Sequence, residues 1–442
     1  MAILRALIVG GLLLGSSVVA ECGKHWVSIW TSMPQLVEPA NLPPAPFNGT
    51  TSVFNNATLR QTIYLTQDAD TIRLYFSNVF GATDLAITSA SVALPAAATN
   101  QTGNGTVLLS AGAGASAVRP DTIQRVTFSG QRAFTIPPGA LAVSDPLNIT
   151  VRARSVLSVS VYLEAGQAGF AITGHPGSRT TSFAVPGEHV ATADLASVPG
   201  VGKTDHWYFL SAVDAWVPSS RSAVVVVGDS ISDGRGSTTN GNNRWPDQLL
   251  ARLQSSPSTS NIAILNQAAG GNRILNDGLG PNALSRIERD VIAQPGVRYA
   301  IIYEGVNDLG TSPTDAASLA RVGDRLLTAY DQMITRLHTA GIAVFGATIT
   351  PMSGPGQTYS DAGREAQRQR VNNWIRTSNR FDAVIDFDLA VRDPRNTTQL
   401  APAFDVGDYL HLNPDGYRTM AETVDLGLFS KFAGGYVHRR MV

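Results

Sequence analysis

From residue 25 to about residue 212, apolar positions tend to recur with a period of two. Ile72, Leu74 and Phe76 alternate with Arg73 and Tyr75, and Leu157, Val159, Val161 and Leu163 alternate with Ser158, Ser160 and Tyr162. That period gives strands with one buried and one wetter face. Turn signals such as Pro137-Pro138-Gly139 and Pro186-Gly187 separate the runs. Many short strands punctuated in this way predict an antiparallel sandwich or jelly roll. The Ala/Gly/Thr-rich stretch 96–117 reads as a long mobile loop. From about Ser222 the texture changes. Apolar strand runs at 223–227, 262–265, 299–303, 343–347 and 383–385 alternate with helix patterns around 245–253, 283–292, 315–339 and 364–377. Strand–helix alternation predicts a parallel sheet covered on both faces, with any site at the carboxyl ends of its strands. The chain thus divides into an all-β region, 21–215, and an α/β region, 216–442.

Candidate chemistry falls on this second pattern. The run Ala223 to Val227 breaks into Gly228-Asp229-Ser230-Ile231-Ser232-Asp233-Gly234, a strand ending in a turn with a serine at its tip. A serine there could cap a helix, or its hydroxyl could act as a nucleophile if a base takes the proton. Asn266-Gln267-Ala268-Ala269-Gly270-Gly271 and Gly305-Val306-Asn307-Asp308 follow two further strand runs. Downstream, Asp408-Tyr409-Leu410-His411 sets a carboxylate three residues before a histidine, a context that none of the other six histidines has. Asn413-Pro414 reads as the N-cap and first turn of a closing helix, whose dipole would disfavour imidazolium at His411.

The order and wording of these blocks resemble the SGNH hydrolases, also called the GDSL esterase/lipase family, over roughly Ser222 to Phe429. The upstream half more loosely resembles the β-rich domain of secreted two-domain members. The resemblance implies a three-layer α/β/α catalytic domain. It implies Ser230 as nucleophile, His411 as general base and then acid, and Asp408 as its partner. It also implies an oxyanion hole made of the Ser230 and Gly271 backbone N–H groups and the Asn307 side-chain amide. Glycine suits the second position because a side chain would block close approach, although Gly270 beside it leaves the choice open by one residue. Asp229 and Asp308 are expected to brace these loops. No Gly-x-Ser-x-Gly elbow is present, which argues against the α/β-hydrolase form of the triad. No paired-histidine metal spacing is present, and ester hydrolysis calls for no cofactor.

Composition adds compartment. The 442 residues carry a net charge of −1, which gives no reason to expect nucleic acid or an anionic membrane as partner. Residues 1–20 read as a secretory signal peptide: Arg5, an apolar stretch from Ala6 to Gly15 too short to span a bilayer, then Val18-Val19-Ala20. The single cysteine, Cys22, allows no intrachain disulfide. Sequons at Asn48, Asn56, Asn100, Asn104, Asn148 and Asn396 are candidate glycan sites on a secreted chain. The resulting expectation is a secreted serine carboxylic-ester hydrolase acting on a small-molecule or polysaccharide ester, first of all acetyl esters of carbohydrates. Lipid or aryl esters, and acyl transfer by the same triad, are alternatives. A non-catalytic carbohydrate-binding protein is the alternative of another class.

Overall fold

A computed structural model describes residues 23–96 and 112–436. The expected signal peptide, Cys22, Asn100 and Asn104 lie outside the described residues. Upstream, every strand pairing is antiparallel. A four-stranded sheet has the order Lys24–Thr31, Leu210–Pro218, Ile72–Ser77, Leu141–Val143. A six-stranded sheet has the order Gly202–Thr204, Ser182–Pro186, Ala57–Tyr64, Val156–Leu163, Ser89–Ala93, Gln124–Val126. In Ile72–Ser77 the period of two is met: Ile72, Leu74 and Phe76 are buried and Arg73 and Tyr75 half-buried.

Val156–Leu163 differs from expectation, because both its faces are buried. The polar face is covered rather than wet. Arg60, on the neighbouring strand, donates to Ser160 Oγ (2.8 Å) and reaches the Ser116 and Thr192 carbonyls, both at 2.7 Å. Those bonds draw two loops over the sheet and satisfy a guanidinium that is itself buried. The end of the stretch expected to be mobile is therefore anchored. Gly114 N–H also donates to Thr62 Oγ1 (2.7 Å), and residues 97–111 lie outside the described residues.

The antiparallel part runs to Pro218, and the parallel sheet begins at Ser222. Its five strands have the order Ile262–Ala268, Ser222–Gly228, Val297–Tyr303, Ala343–Ala347, Ala383–Ile385, all parallel. The second strand in this order, Ser222–Gly228, is buried on both faces, as a place between two helix layers requires. The chain reverses its direction of winding at this strand, and the ends of Ser222–Gly228, Ile262–Ala268 and Val297–Tyr303 open onto the crevice where such sheets bind ligands. Helices Trp245–Gln254, Ala316–Thr339, Ala362–Thr377 and Pro414–Thr423 cover the sheet. The expected 283–292 helix is α only to Ile287 and then widens to a π-turn, Glu288–Ile292. One hydrophobic core runs without interruption through both regions, joining Val27, Ile29 and Leu74 to Val225, Leu265 and Ile301.

Candidate active site

Each loop of the site is fixed by its own local chemistry. At Gly228 an added Cβ would fall 2.6 Å from Ser232 Oγ and 2.9 Å from the Tyr303 carbonyl, so only glycine lets the strand turn this tightly. Asp229, not Ser230, is the helix N-cap: its carboxylate accepts from Ile231 N–H at 3.0 Å. Ser230 is the first residue of the one-turn helix Ser230–Asp233; the Ser232 and Asp233 N–H groups bond the Asp229 carbonyl (3.1 and 2.8 Å), and the Ser230 N–H has no acceptor among the described residues. Asn266 Nδ2 donates to the Ser232 carbonyl (2.8 Å), tying the neighbouring strand to this turn. Beyond that strand Gly271 stands at φ +74°. Gly270 N–H donates to Asp233 Oδ2 (3.0 Å), whereas Gly271 N–H has no acceptor among the described residues. The ambiguity between the two glycines therefore falls to Gly271 as the free donor.

Asn307 lies on the short helix Val306–Gly310 and is buried. Its amide is locked in one orientation. Nδ2 donates to the Asn272 carbonyl (2.8 Å), an acceptor only, so Oδ1 must be the atom that accepts from the Tyr359 hydroxyl (2.9 Å). Asp308 braces the adjoining loop, accepting from Ile274 N–H (2.8 Å) and Leu275 N–H (3.0 Å). Behind the loops, buried Arg286 donates to the Gln267 carbonyl (2.6 Å), Asn272 Oδ1 (3.0 Å) and Asp290 (3.0 Å).

The last loop carries the acid–histidine pair. Asp408 Oδ1 accepts from the His411 backbone N–H (2.8 Å), and Oδ2 accepts from His411 Nδ1–H (2.6 Å). With Nδ1 protonated, Nε2 is the acceptor, and Ser230 Oγ–H donates to it at 2.8 Å. Asn413 caps the helix that starts at Pro414, leaving His411 two residues before that cap. Burial alone would raise the Asp408 carboxyl, but the hydrogen bonds it accepts from the His411 ring and backbone outweigh this and hold it at about 2. The carboxylate is thus ionised at any working pH. Beneath the site the balance is opposite. Burial, with smaller contributions from neighbouring carboxylates, pushes Asp229 up to about 7 and Glu304 up to about 8, and burial pushes Asp308 up to about 6.

Ser230, Gly271, Asn307, Asp408 and His411 all line one cavity of about 780 Å³. Its far wall comes from the β-rich region and includes Glu38, Asn41, Arg179 and His206. The four described sequon asparagines, Asn48, Asn56, Asn148 and Asn396, are exposed and lie outside this lining. The sequence blocks do not announce Tyr359, Asn272, Asp233 or Arg286 as parts of the site. Asn272 directly follows the glycine block, whereas Tyr359 comes from a turn-rich loop that carries no periodic signal.

A hydroxyl, an imidazole and an ionised carboxylate in series, beside free N–H groups, are the groups acyl transfer needs. Residues 226–419 match the GDSL-like Lipase/Acylhydrolase family. The chain thus carries a GDSL-like acylhydrolase domain, that of a hydrolytic enzyme. Solved structures similar to it include the lipase/acylhydrolase from Enterococcus faecalis, at 16% identity over 49% of this chain and 100% of that one, TM-score 0.36. A carbohydrate acetylesterase from Sinorhizobium meliloti is similar at 13% identity over 48% and 99%, TM-score 0.36. An acetyl xylan esterase is similar at 20% identity over 47% and 98%, TM-score 0.34. Among curated proteins, none matches the chain.

Proposed function

We propose that the protein is a secreted serine esterase that removes small acyl groups, acetyl first, from hydroxyl-rich alcohols such as carbohydrates. The observation that carries the chemistry is the unbroken Ser230–His411–Asp408 series, at 2.8 and 2.6 Å, facing the free Gly271 N–H and the Asn307 amide. In this reading His411 Nε2 takes the Ser230 proton as Oγ attacks the ester carbonyl. The developing oxyanion is met by the Ser230 and Gly271 N–H groups and the second hydrogen of Asn307 Nδ2. Collapse breaks the bond to the alkoxy oxygen, which leaves with the proton from His411. Water then repeats the sequence on the acyl-serine, releasing the carboxylic acid. Asp408 fixes the ring tautomer and stabilises the imidazolium.

Two features support the substrate class. Glu38, Asn41, Arg179, Arg235, His206 and Gln357 give the cavity a polar lining, suited to a polyol rather than a lipid tail. Leu279 packs over Gly271, where an added Cβ would fall 2.4 Å from its Cδ1, and sets one apolar side chain beside the oxyanion donor, where a short acyl group would rest. No helix among the described residues is long and apolar enough to cross a membrane. Secretion rests on the residue 1–20 pattern, and glycan attachment on the exposed sequons. The test is an ester panel of increasing acyl length together with acetylated sugars and polysaccharides. A kcat/KM that is highest for acetyl and higher on acetylated sugars than on aryl acetate supports the reading, and a preference for long acyl chains contradicts it.

A further inference from the structure

Two adjacent glycines give the 269–272 loop more backbone freedom than any other pair of residues would, yet a transition-state donor needs a fixed direction. The pin on this loop is the Gly270 N–H bond to Asp233 Oδ2, at 3.0 Å. Asp233 is itself buried and held from outside the α/β region. Its Oδ1 lies 2.9 Å from Nε2 of His175, on the strand Thr173–His175 of the β-rich region. His175 Nδ1 lies 3.1 Å from the Met33 carbonyl. A carbonyl only accepts, so Nδ1 carries a hydrogen, and the Nε2 contact with the carboxylate then requires a second proton shared between ring and carboxyl. The ring is 3% exposed and stacks on Trp207 at 5.8 Å and 26°. The backbone beside it also presses on the carboxylate: an added Cβ at Gly177 would fall 1.7 Å from Asp233 Oδ2.

We infer that His175 is a positioning residue for ester hydrolysis: through Asp233 it holds the Gly270-Gly271 loop, so the β-rich region is a working part of the active site rather than a separate module. The inference rests on the proposed role of Gly271 as an oxyanion donor. Asp233 connects the two halves because one oxygen bonds His175 of the β-rich region and the other bonds the Gly270 N–H of the loop. A neutral amide can do the same. In Asp233→Asn, Oδ1 would accept from Gly270, and Nδ2 would donate to His175 Nε2 once the ring is neutral and protonated only at Nδ1.

The experiment measures kcat and KM for p-nitrophenyl acetate on the full chain, with thermal unfolding recorded for each variant. His175→Phe keeps a ring on Trp207 but loses the hydrogen bonds to Asp233 and Met33, and Asp233→Ala removes the Gly270 bond itself. Each is expected to lower kcat roughly ten- to hundredfold with KM within a few-fold, since the loss falls on the transition state. Asp233→Asn is expected to stay within about threefold of wild type, because every hydrogen bond can be rebuilt. Should His175→Phe not fold, the contrast between Asp233→Ala and Asp233→Asn reads the same loop. Wild-type kcat in a folded His175→Phe, a loss confined to KM, or an Asn variant as impaired as the Ala variant overturns the inference. An inactive wild type, or a fully active Ser230→Ala, would instead overturn the esterase reading on which it stands.

Discussion

The lock on Asn307 makes a prediction whose size follows from the hydrogen bonds. Tyr359→Phe removes the hydroxyl that donates to Asn307 Oδ1 and leaves the ring in place, packed where an added Cβ on Gly310 would fall 2.1 Å from its Cδ2. Burial, with the Asp229 charge adding to it, raises that hydroxyl above its ordinary range, so it remains a donor throughout the assay range. Losing it strands a buried amide oxygen, at a cost of about 1–3 kcal/mol. The Asn272 carbonyl still holds Nδ2 at 2.8 Å, so the donor is loosened rather than lost. Only the part of the cost that misaligns the donor in the transition state reaches kcat, which should fall roughly five- to twentyfold with KM within a few-fold. Asn307→Ala sets the ceiling, at roughly a hundred- to a thousandfold in kcat, the usual effect of removing one oxyanion donor. If Tyr359 acts only through Asn307, adding Tyr359→Phe to Asn307→Ala should change kcat less than about twofold. The assay is steady-state hydrolysis of p-nitrophenyl acetate by the two single variants and the double. Additive losses, or a Tyr359→Phe defect in KM alone, would show that Tyr359 contacts substrate instead, and would refute this reasoning.

Other outcomes follow from the same geometry. The rate should rise with pH through one ionisation, because only neutral imidazole can take the Ser230 proton; His411→Ala should abolish that limb and nearly all turnover. Asp408→Asn should hurt less than His411→Ala, since asparagine still contacts the ring but favours the wrong tautomer. An Asp408→Asn variant as active as wild type would mean a serine–histidine pair without a third member. For stability, Asp229 has its carboxyl raised from 3.8 to about 7 by burial. The folded chain then binds more protons than the unfolded chain across that window, so this contribution is full below the unfolded value and is lost as pH rises through 7. Asp229→Asn keeps a cap and cannot ionise. Its melting temperature should therefore fall less than that of wild type between pH 5 and pH 8, as calorimetry at the two pH values would read.

How much of this is legible in the sequence varies with the range of the interaction involved. The parallel strands 223–227 and 299–303 stand out because a strand buried on both faces is a short apolar run. Ser230, Asn307, Asp408 and His411 stand out because each is set by spacing within one short block. Helix starts are legible to within two residues, and the structure gives the cap in each case: Asp315 for Ala316–Thr339 and Asp361 for Ala362–Thr377. Interactions between blocks are not legible. Nothing near Tyr359 in sequence shows that it meets Asn307, and nothing near His175 shows that it meets Asp233, 58 residues on. The family resemblance points to Gly271, but the contact that occupies its neighbour, the Gly270 N–H bond to Asp233, joins two separate blocks and is not legible in either. The polar face of Val156–Leu163 read as wet because the loops that cover it are distant in sequence.

The central claim is that hydrolysis proceeds through an acyl group on Ser230. Its most direct test is to mix the protein with p-nitrophenyl acetate, quench in acid within the first turnover, and map the acetyl group by peptide mass spectrometry. The account predicts an acetyl on the peptide bearing Ser230, at Oγ, absent from Ser230→Ala. That variant should retain only the acceleration the oxyanion donors supply, roughly a thousandfold over water by the measure of other serine hydrolases. An acetyl group found on another residue, or wild-type turnover by Ser230→Ala, would contradict it.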